Sequence, residues 1–234
     1  MQLIIRAKFT KNNKLRYISH LDLMRLFQRA FRRADIPIKY SEGFNPHPKF
    51  SVASALTLGI SSEGEYMDIE LEKEMPIRNF IDDMNNVLPE DIKILECKYV
   101  EDTGSISSQI AWGFYKIGYS LTKDMDIDTL KKEINDFMGL EQIVILKEKK
   151  KKGKIVEKEE NIKEKIGNIN VKEVKDRNVV MEVLLRTGDN DNLKPINFIQ
   201  ALKKYTNIDI IEESININRI ELFIEKDNQI VRPL

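Results

Sequence analysis

The sequence contains very few of the side chains that bind metals. Its 234 residues include one cysteine, Cys97, and two histidines, His20 and His47. A structural zinc site needs four such ligands, and a four-iron cluster needs several thiolates, so these residues alone complete neither. A single cysteine also excludes an internal disulfide. We therefore predict that this chain binds no metal and no cofactor.

Long apolar runs are also lacking. No run approaches the roughly 20 residues of a membrane-spanning helix, and the segment Met1–Arg6 becomes charged too early for a signal peptide. These features predict a cytoplasmic protein with no membrane contact. The formal net charge is zero, which predicts no overall attraction to nucleic acid.

The charges are nevertheless distributed unevenly along the chain. Residues 1–50 contain eleven Lys and Arg and three acids, an excess of eight positive charges. Residues 51–104 contain four Lys and Arg and thirteen acids, an excess of nine negative charges. Such neighbouring blocks are typical either of a local anion-binding face or of complementary solvated faces in one domain, and both interpretations stay open.

Apolar periodicity predicts the same order of elements in both halves of the chain. In the first half, Leu3–Phe9 alternates as a strand, and a capping box at Ser19 and Asp22 begins a helix that ends before Pro37. Two strands, a helix beginning near Pro76 and a closing strand follow. The second half is predicted to contain strand Ile110–Leu121, helix Asp128–Met138, strands Gln142–Lys147 and Val179–Arg186, helix Pro195–Tyr205 and strand Ile217–Ile224.

The order strand, helix, strand, strand, helix, strand is that of the ferredoxin-like arrangement. We therefore predict an α+β protein with two tandem ferredoxin-like (βαββαβ) subdomains and antiparallel sheets. The first is predicted over residues 1–101 and the second over 110–234, with a linker at 102–109. A charged hairpin is predicted near 147–165, with an exposed tip at Lys150–Lys154, where lysines surround a glycine.

The first predicted helix carries a row of arginines opposite its apolar stripe. At 100° per residue, Arg25, Arg29 and Arg32 lie within about 60° of one another, with Arg33 and Asp22 beside them. Their separations correspond to about 6 and 4.5 Å of axial rise, the scale of phosphate spacing in a nucleic-acid strand. The alternative is a solvated helix face on which Asp22 pairs with an arginine. Further basic residues nearby in sequence, among them Arg16, strengthen the anion-binding interpretation.

The segment Gly43–Lys49 has the composition of a recognition loop. Gly43 permits close backbone approach, the prolines reduce the entropy lost on ordering, and Phe44 offers a stacking face. The alternative is a rigid turn whose Phe44 belongs to the core. A second Gly/Ser segment, Gly59–Glu65, is interpreted as a turn, or as a docking edge with Glu63 and Glu65.

The two histidines are the candidates for acid–base chemistry. His20 is predicted at the first helical position and His47 in the recognition loop, where a neutral imidazole can accept or donate a proton. A satisfied structural or binding role is the commoner outcome for such residues. The candidate binding residues are Arg16, Ser19, His20, Asp22, Arg25, Arg29, Arg32, Arg33, Gly43, Phe44, Asn45, His47 and Lys49.

Several of these residues lie in segments that resemble a known family. The runs Tyr17–Arg25, Arg29-Ala30, Arg33-Ala34, Gly43–Pro48, Leu58-Gly59 and Glu65–Asp68 are similar to the radical SAM-linked proteins (DUF2344). The resemblance is specific over residues 1–100 and looser beyond. It implies a stand-alone form whose partner is a separate radical SAM protein, since the chain lacks the three cysteines that hold the cluster.

Three functions are consistent with these features. The first is a non-catalytic accessory module that presents a substrate, plausibly RNA, to the radical SAM partner. The second is a metal-free endoribonuclease in which His20 and His47 serve as acid and base for attack by a 2′-hydroxyl. The third is a protein-docking module that binds no RNA. Substitution of the two histidines separates the first two, because only a nuclease loses turnover by orders of magnitude.

Overall fold

The computed structural model describes residues 3–101, 104–151, 154–189, 191–227 and 229–234. Its strands are β1 (Leu3–Lys11), β2 (Phe50–Val52), β3 (Ser61–Leu71), β4 (Ile94–Val100), β5 (Ile110–Leu121), β6 (Val144–Lys151), β7 (Lys154–Asn161), β8 (Ile166–Lys175), β9 (Asn178–Arg186), β10 (Ile210–Lys226) and β11 (Gln229–Val231). Its helices are α1 (His20–Arg33), α2 (Ile77–Val87), α3 (Ile106–Gln109), α4 (Ile127–Gly139) and α5 (Pro195–Tyr205). Short 3-10 turns lie at Asn13–Tyr17 and Lys163–Lys165.

The chain divides into two units. The first comprises residues 1–112, 188–190 and 218–234, and the second comprises 113–187 and 191–217. This division differs from the predicted boundaries at 101 and 110. The main reason is β10, whose 17 residues are enough to supply a strand segment to each unit. The predicted linker also differs, because residues 106–109 form α3 and Ile106 is fully buried.

The sheet of the first unit is mostly antiparallel. Strand β1 lies between β3 and β4 and is antiparallel to both. The other edge of β3 pairs with β2 near its end and, in parallel, with Asn218 and Arg219 of β10 near its start. Pairing on both sides of β1 and β3 places these strands at the centre of the sheet.

Both long helices of the first unit pack on one face of this sheet. Apolar residues of α1 and α2 contact the odd-numbered side chains of β1 and β3 in one core cluster. Phe27 of α1 meets the Phe9 ring edge-on at 4.9 Å and stacks with Phe31 at 6.1 Å. Burial of this aromatic stripe fixes the rotation of α1 about its axis, so the opposite side of the helix faces solvent.

The second unit is also an α+β arrangement. Its main strands follow the order β10, β5, β9, β8, and Phe137 of α4 meets Phe198 of α5 edge-on at 6.3 Å. Strands β6 and β7 form a separate two-stranded sheet. The predicted hairpin is therefore present over 144–161, while residues 152 and 153 of its predicted tip lie outside the described residues.

One strand of the second unit was not predicted from the sequence. The strand beside β9 is β8, not the predicted Gln142–Lys147 segment. Its sequence, IGNINVKEVK, buries only two of its residues, Ile166 and Val171. An edge strand with so few apolar residues has too weak an alternation to be recognised.

Candidate nucleic-acid interface

The start of α1 is fixed by a side-chain cap. The Ser19 hydroxyl accepts a hydrogen bond from the backbone N–H of Asp22 at 3.1 Å and donates to the Asp22 carboxylate at 2.7 Å. The hydrogen bond from Ser19, assisted by the charge of Arg25, lowers the pKa of Asp22 below its ordinary value. The predicted capping box is confirmed, and Ser19 and Asp22 serve the helix itself.

The arginines of α1 form an exposed row, which we call the arginine face: Arg25, Arg29, Arg32 and Arg33. Arg25 pairs with Asp22 at 3.3 Å, and both side chains are more than half exposed. Arg33 donates to the carbonyl oxygen of Val87 at 2.8 Å. Within the part of the chain that the structure describes, the side chains of Arg29 and Arg32 form no hydrogen bond and no ion pair. Two guanidinium groups are therefore available to an anionic ligand.

Most other basic residues of the first fifty are already neutralised. Arg6 pairs with Asp68 at 2.7 Å, and Lys8 pairs with Glu221 at 2.6 Å. The predicted binding residue Lys49 pairs with Glu70 at 3.3 Å. The two charge blocks therefore pair in part, through Asp68 and Glu70, while among the described residues Arg29 and Arg32 of the arginine face stay without an acidic partner.

The two ends of the predicted recognition loop are joined to each other by hydrogen bonds. We call residues 42–48 the Phe44 loop. Tyr40 and Pro48 form a bridge at its base. Above it, the N–H of Ser41 donates to the carbonyl of His47 at 2.8 Å, and the N–H of His47 donates to the Ser41 hydroxyl at 3.0 Å. The segment from Glu42 to His47 is exposed, so these bonds hold its ends while its tip meets solvent.

The carboxylate of Glu70 in β3 binds a lysine on each side of the Phe44 loop. Glu70 accepts hydrogen bonds from Lys39, which precedes the loop, at 2.5 Å and from Lys49, which follows it, at 3.3 Å. Burial alone would raise the pKa of Glu70, but the hydrogen bonds and charges of the two lysines outweigh burial and lower this pKa. Lys49 therefore acts as an anchor of the loop.

The loop and α1 are packed together at the base of the loop. The ring of Phe50, just after the loop, meets the ring of Phe31 in α1 edge-on at 5.1 Å. Phe31 precedes Arg32 directly in the chain, so the loop base lies beside the half of α1 that carries the unpaired arginines. Because Phe31 belongs to the buried side of α1, this contact places the loop base near the C-terminal half of the helix, and the arginine face and the Phe44 loop are two candidate surfaces of the first unit.

The two histidines occupy different parts of this region. His20 is the first residue of α1 and is half-buried, whereas His47 is exposed in the loop. The loop base contacts α1 at Phe31, which lies about 16 Å along the helix axis from His20. An acid–base pair must reach one scissile phosphate from both sides, at hydrogen-bond distance. His20 and His47 are therefore carried by different elements of the first unit, the start of α1 and the Phe44 loop.

Sequence reasoning missed a polar cluster inside the first unit. Arg219 and Glu65 form two hydrogen bonds at 2.7 and 2.5 Å, and each side chain is 2% exposed. The buried ammonium of Lys11 donates to the carbonyl of Ile18, just before the α1 cap, at 2.9 Å. Glu65 is therefore an interior residue and not the docking edge suggested for it. Its partner lies 154 positions away, and no local pattern connects them.

Arg16, another predicted binding residue, lies in a local stack with its neighbour in the chain. Its guanidinium lies over the ring of Tyr17 at 4.9 Å and donates to the Tyr17 hydroxyl at 2.8 Å. Tyr17 is itself exposed, as is Leu21 four positions later. Arg16 is thus half-buried in this stack, and its role in anion binding stays a prediction.

Neither a metal-binding cluster nor a membrane-spanning helix is found among the described residues. Over the described ranges, the structure holds no group of three or more His, Cys, Asp or Glu side chains arranged to bind a metal ion. None of the described helices combines the length and the apolar composition needed to cross a membrane.

The chain belongs to the family described as "Uncharacterized protein conserved in bacteria (DUF2344)", whose pattern matches residues 5–195. This confirms the family suggested by the sequence motifs. No protein with a curated description matches the chain.

The fold itself is shared with a solved structure. A chain in "Crystal Structure of a Cbf5-Nop10-Gar1 Complex" superimposes with a TM-score of 0.50 at 11% identity over 91% of this chain and 47% of that one. A chain in "Crystal structure of the archaeal box H/ACA sRNP Nop10-Cbf5 complex" gives 0.47 at 10% identity over 92% and 46%. Our chain thus spans about half the length of these structures, and the first of them shows a similar fold.

Proposed function

We propose that this protein is a non-catalytic accessory module that binds RNA through the arginine face and the Phe44 loop. The observation that carries the proposal is the pair of unpartnered guanidinium groups, Arg29 and Arg32, in the same unit as a loop that exposes an aromatic ring. Arginine binds phosphate oxygens in a planar, two-pronged geometry, and aromatic rings stack on bases. The two features together match a nucleic-acid strand.

The proposal has two further parts, a partner protein and a fold assignment. From the family resemblance, we propose that the chain delivers its RNA to a separate radical SAM enzyme, which supplies the radical chemistry. We also propose that both units are ferredoxin-like. The strand order β4, β1, β3, β2 of the first unit and the order β10, β5, β9, β8 of the second support this assignment.

Binding across a salt series tests the RNA interaction. We compare the wild type, an Arg29→Glu/Arg32→Glu variant and a control, Lys131→Glu/Lys132→Glu, which makes the same charge change on the exposed side of α4. Each phosphate contact to a single strand contributes about −0.7 to the slope of log affinity against log salt. We expect the first variant to lose about 1.4 of this slope and about tenfold or more in affinity, and the control to retain both.

The alternatives predict different results. A protein-docking module binds no RNA in any of the three forms. An RNA-binding surface elsewhere in the chain leaves the Arg29→Glu/Arg32→Glu variant as tight as the wild type. A nuclease shortens the RNA during the measurement and stops doing so when His20 and His47 are both replaced by Ala.

A further inference from the structure

We infer that the ligand is single-stranded RNA and that Phe44 stacks on one unpaired base of it. This inference rests on the proposed function and narrows its substrate class. It comes from the exposure of the Phe44 ring, the closure of its loop, and the packing of the loop base against α1, the helix that carries the arginine face.

Phe44 is exposed to an unusual degree for an aromatic residue. Its accessible surface is 111% of the reference value, which means that neighbouring residues shield none of the side chain. Burying an apolar ring is favourable by a few kcal/mol, so a ring held in water is available to a partner. The predicted core alternative for Phe44 is therefore wrong.

The loop holds this ring out on a pre-formed backbone. Gly43 has a φ of +116°, and a Cβ placed there would meet nothing within 4 Å. This conformation strongly favours glycine, and it turns the chain immediately before Phe44. The bridge at Pro48 and the Ser41–His47 hydrogen bonds fix the ends of the loop. Less backbone entropy is therefore lost when a ligand binds.

A single strand is the form of RNA that such a ring can recognise. In an A-form duplex the faces of the bases are covered by their neighbours, and the major groove is too deep and narrow for side chains. Unpaired bases expose their faces and stack on aromatic residues with little dependence on sequence. Other phosphates of the same strand would then pair with the arginine face, whose residues follow each other at helical spacing.

Anisotropy with two RNA probes tests the inference. The probes are a labelled twelve-nucleotide oligouridine and a fully paired RNA duplex of the same length. The proteins are the wild type, Phe44→Ala, Phe44→Trp and a control, Leu95→Ala, which removes an exposed apolar side chain from β4. We expect the wild type to prefer the single strand by tenfold or more, with Leu95→Ala unchanged.

The Phe44 variants test directly whether the ring stacks on a base. Phe44→Ala should weaken single-strand binding roughly five- to hundredfold, the range for one base–aromatic stack, and leave duplex binding unchanged. Phe44→Trp should retain affinity, and its added fluorescence should be quenched when RNA binds. Because the ring contacts no neighbour, both variants are expected to fold like the wild type.

The outcomes separate the inference from the proposed function. Salt-dependent binding that is lost in Arg29→Glu/Arg32→Glu but is equal in Phe44→Ala and wild type overturns the stacking and keeps the RNA function. Equal or tighter binding of the duplex likewise overturns the single-strand inference alone. Absence of binding to either probe overturns both.

Discussion

Replacement of Arg219 by Met is expected to destabilise the first unit by about 3–5 kcal/mol, the cost of leaving a buried charge without its partner. The guanidinium forms two hydrogen bonds to the Glu65 carboxylate at 2.7 and 2.5 Å, and both side chains are 2% exposed. In the variant, a carboxylate excluded from water loses both donors. It must either remain charged at high cost or bind a proton.

Lys11 connects the buried Arg219–Glu65 pair to the segment that precedes α1. Burial lowers the pKa of Lys11, and the negative charge of Glu65 opposes that shift. The Lys11 ammonium also donates to the carbonyl of Ile18, one residue before the α1 cap. The buried cluster therefore supports the segment from which the arginine-bearing helix begins, although none of its members touches the arginine face.

Urea unfolding followed by tryptophan fluorescence measures this cost. Trp112 is the only tryptophan and belongs to the first unit, so its signal reports on the affected region. The matched control is the double variant Glu65→Leu/Arg219→Met, which removes both charges and is expected to recover most of the lost stability. If Arg219→Met unfolds at the wild-type urea concentration, the cluster does not stabilise the unit.

Alkylation of Cys97 in the folded protein is expected to be about a thousandfold slower at pH 8 than in the urea-unfolded chain. Cys97 lies in β4 among core residues and is 8% exposed. Burial, assisted by the charge of Glu96, raises its pKa to about 12. Only the thiolate reacts, and a shift from an ordinary 9.0 to about 12 reduces the thiolate fraction at pH 8 by that factor.

Iodoacetamide labelling followed by mass spectrometry measures both rates. Because the chain has a single cysteine, the whole label reports on β4. Because the pKa is raised, the protection relative to the unfolded chain should be largest below pH 9 and decline progressively between pH 9 and about pH 12. Native labelling within tenfold of the unfolded rate would show that β4 opens readily from the sheet edge.

Local patterns in the sequence predicted the elements that carry the candidate interface. The Ser19 cap, the helix after it and the side of that helix exposed to solvent all follow from residues within fourteen positions of one another. The glycine, the prolines and the aromatic of the Phe44 loop are also adjacent. Short-range periodicity and turn chemistry are sufficient for such features.

Long-range pairing could not be predicted in the same way. The charge counts did not reveal that Lys49 is held by Glu70 or that Arg6 is held by Asp68, because pairing across strands depends on register. The burial of Glu65 depends on Arg219, a residue near the far end of the chain. Only the folded sheet distinguishes these paired charges from the unpaired ones of Arg29 and Arg32.

Photo-crosslinking is the most direct test of the RNA interface. A single-stranded RNA containing 4-thiouridine is bound to the wild-type protein, irradiated and digested, and the modified peptides are identified by mass spectrometry. The account predicts crosslinks in residues 20–33 and in the Phe44 loop, with the loop crosslinks lost in Phe44→Ala. Crosslinks confined to other segments, such as α4 or α5 of the second unit, would contradict it.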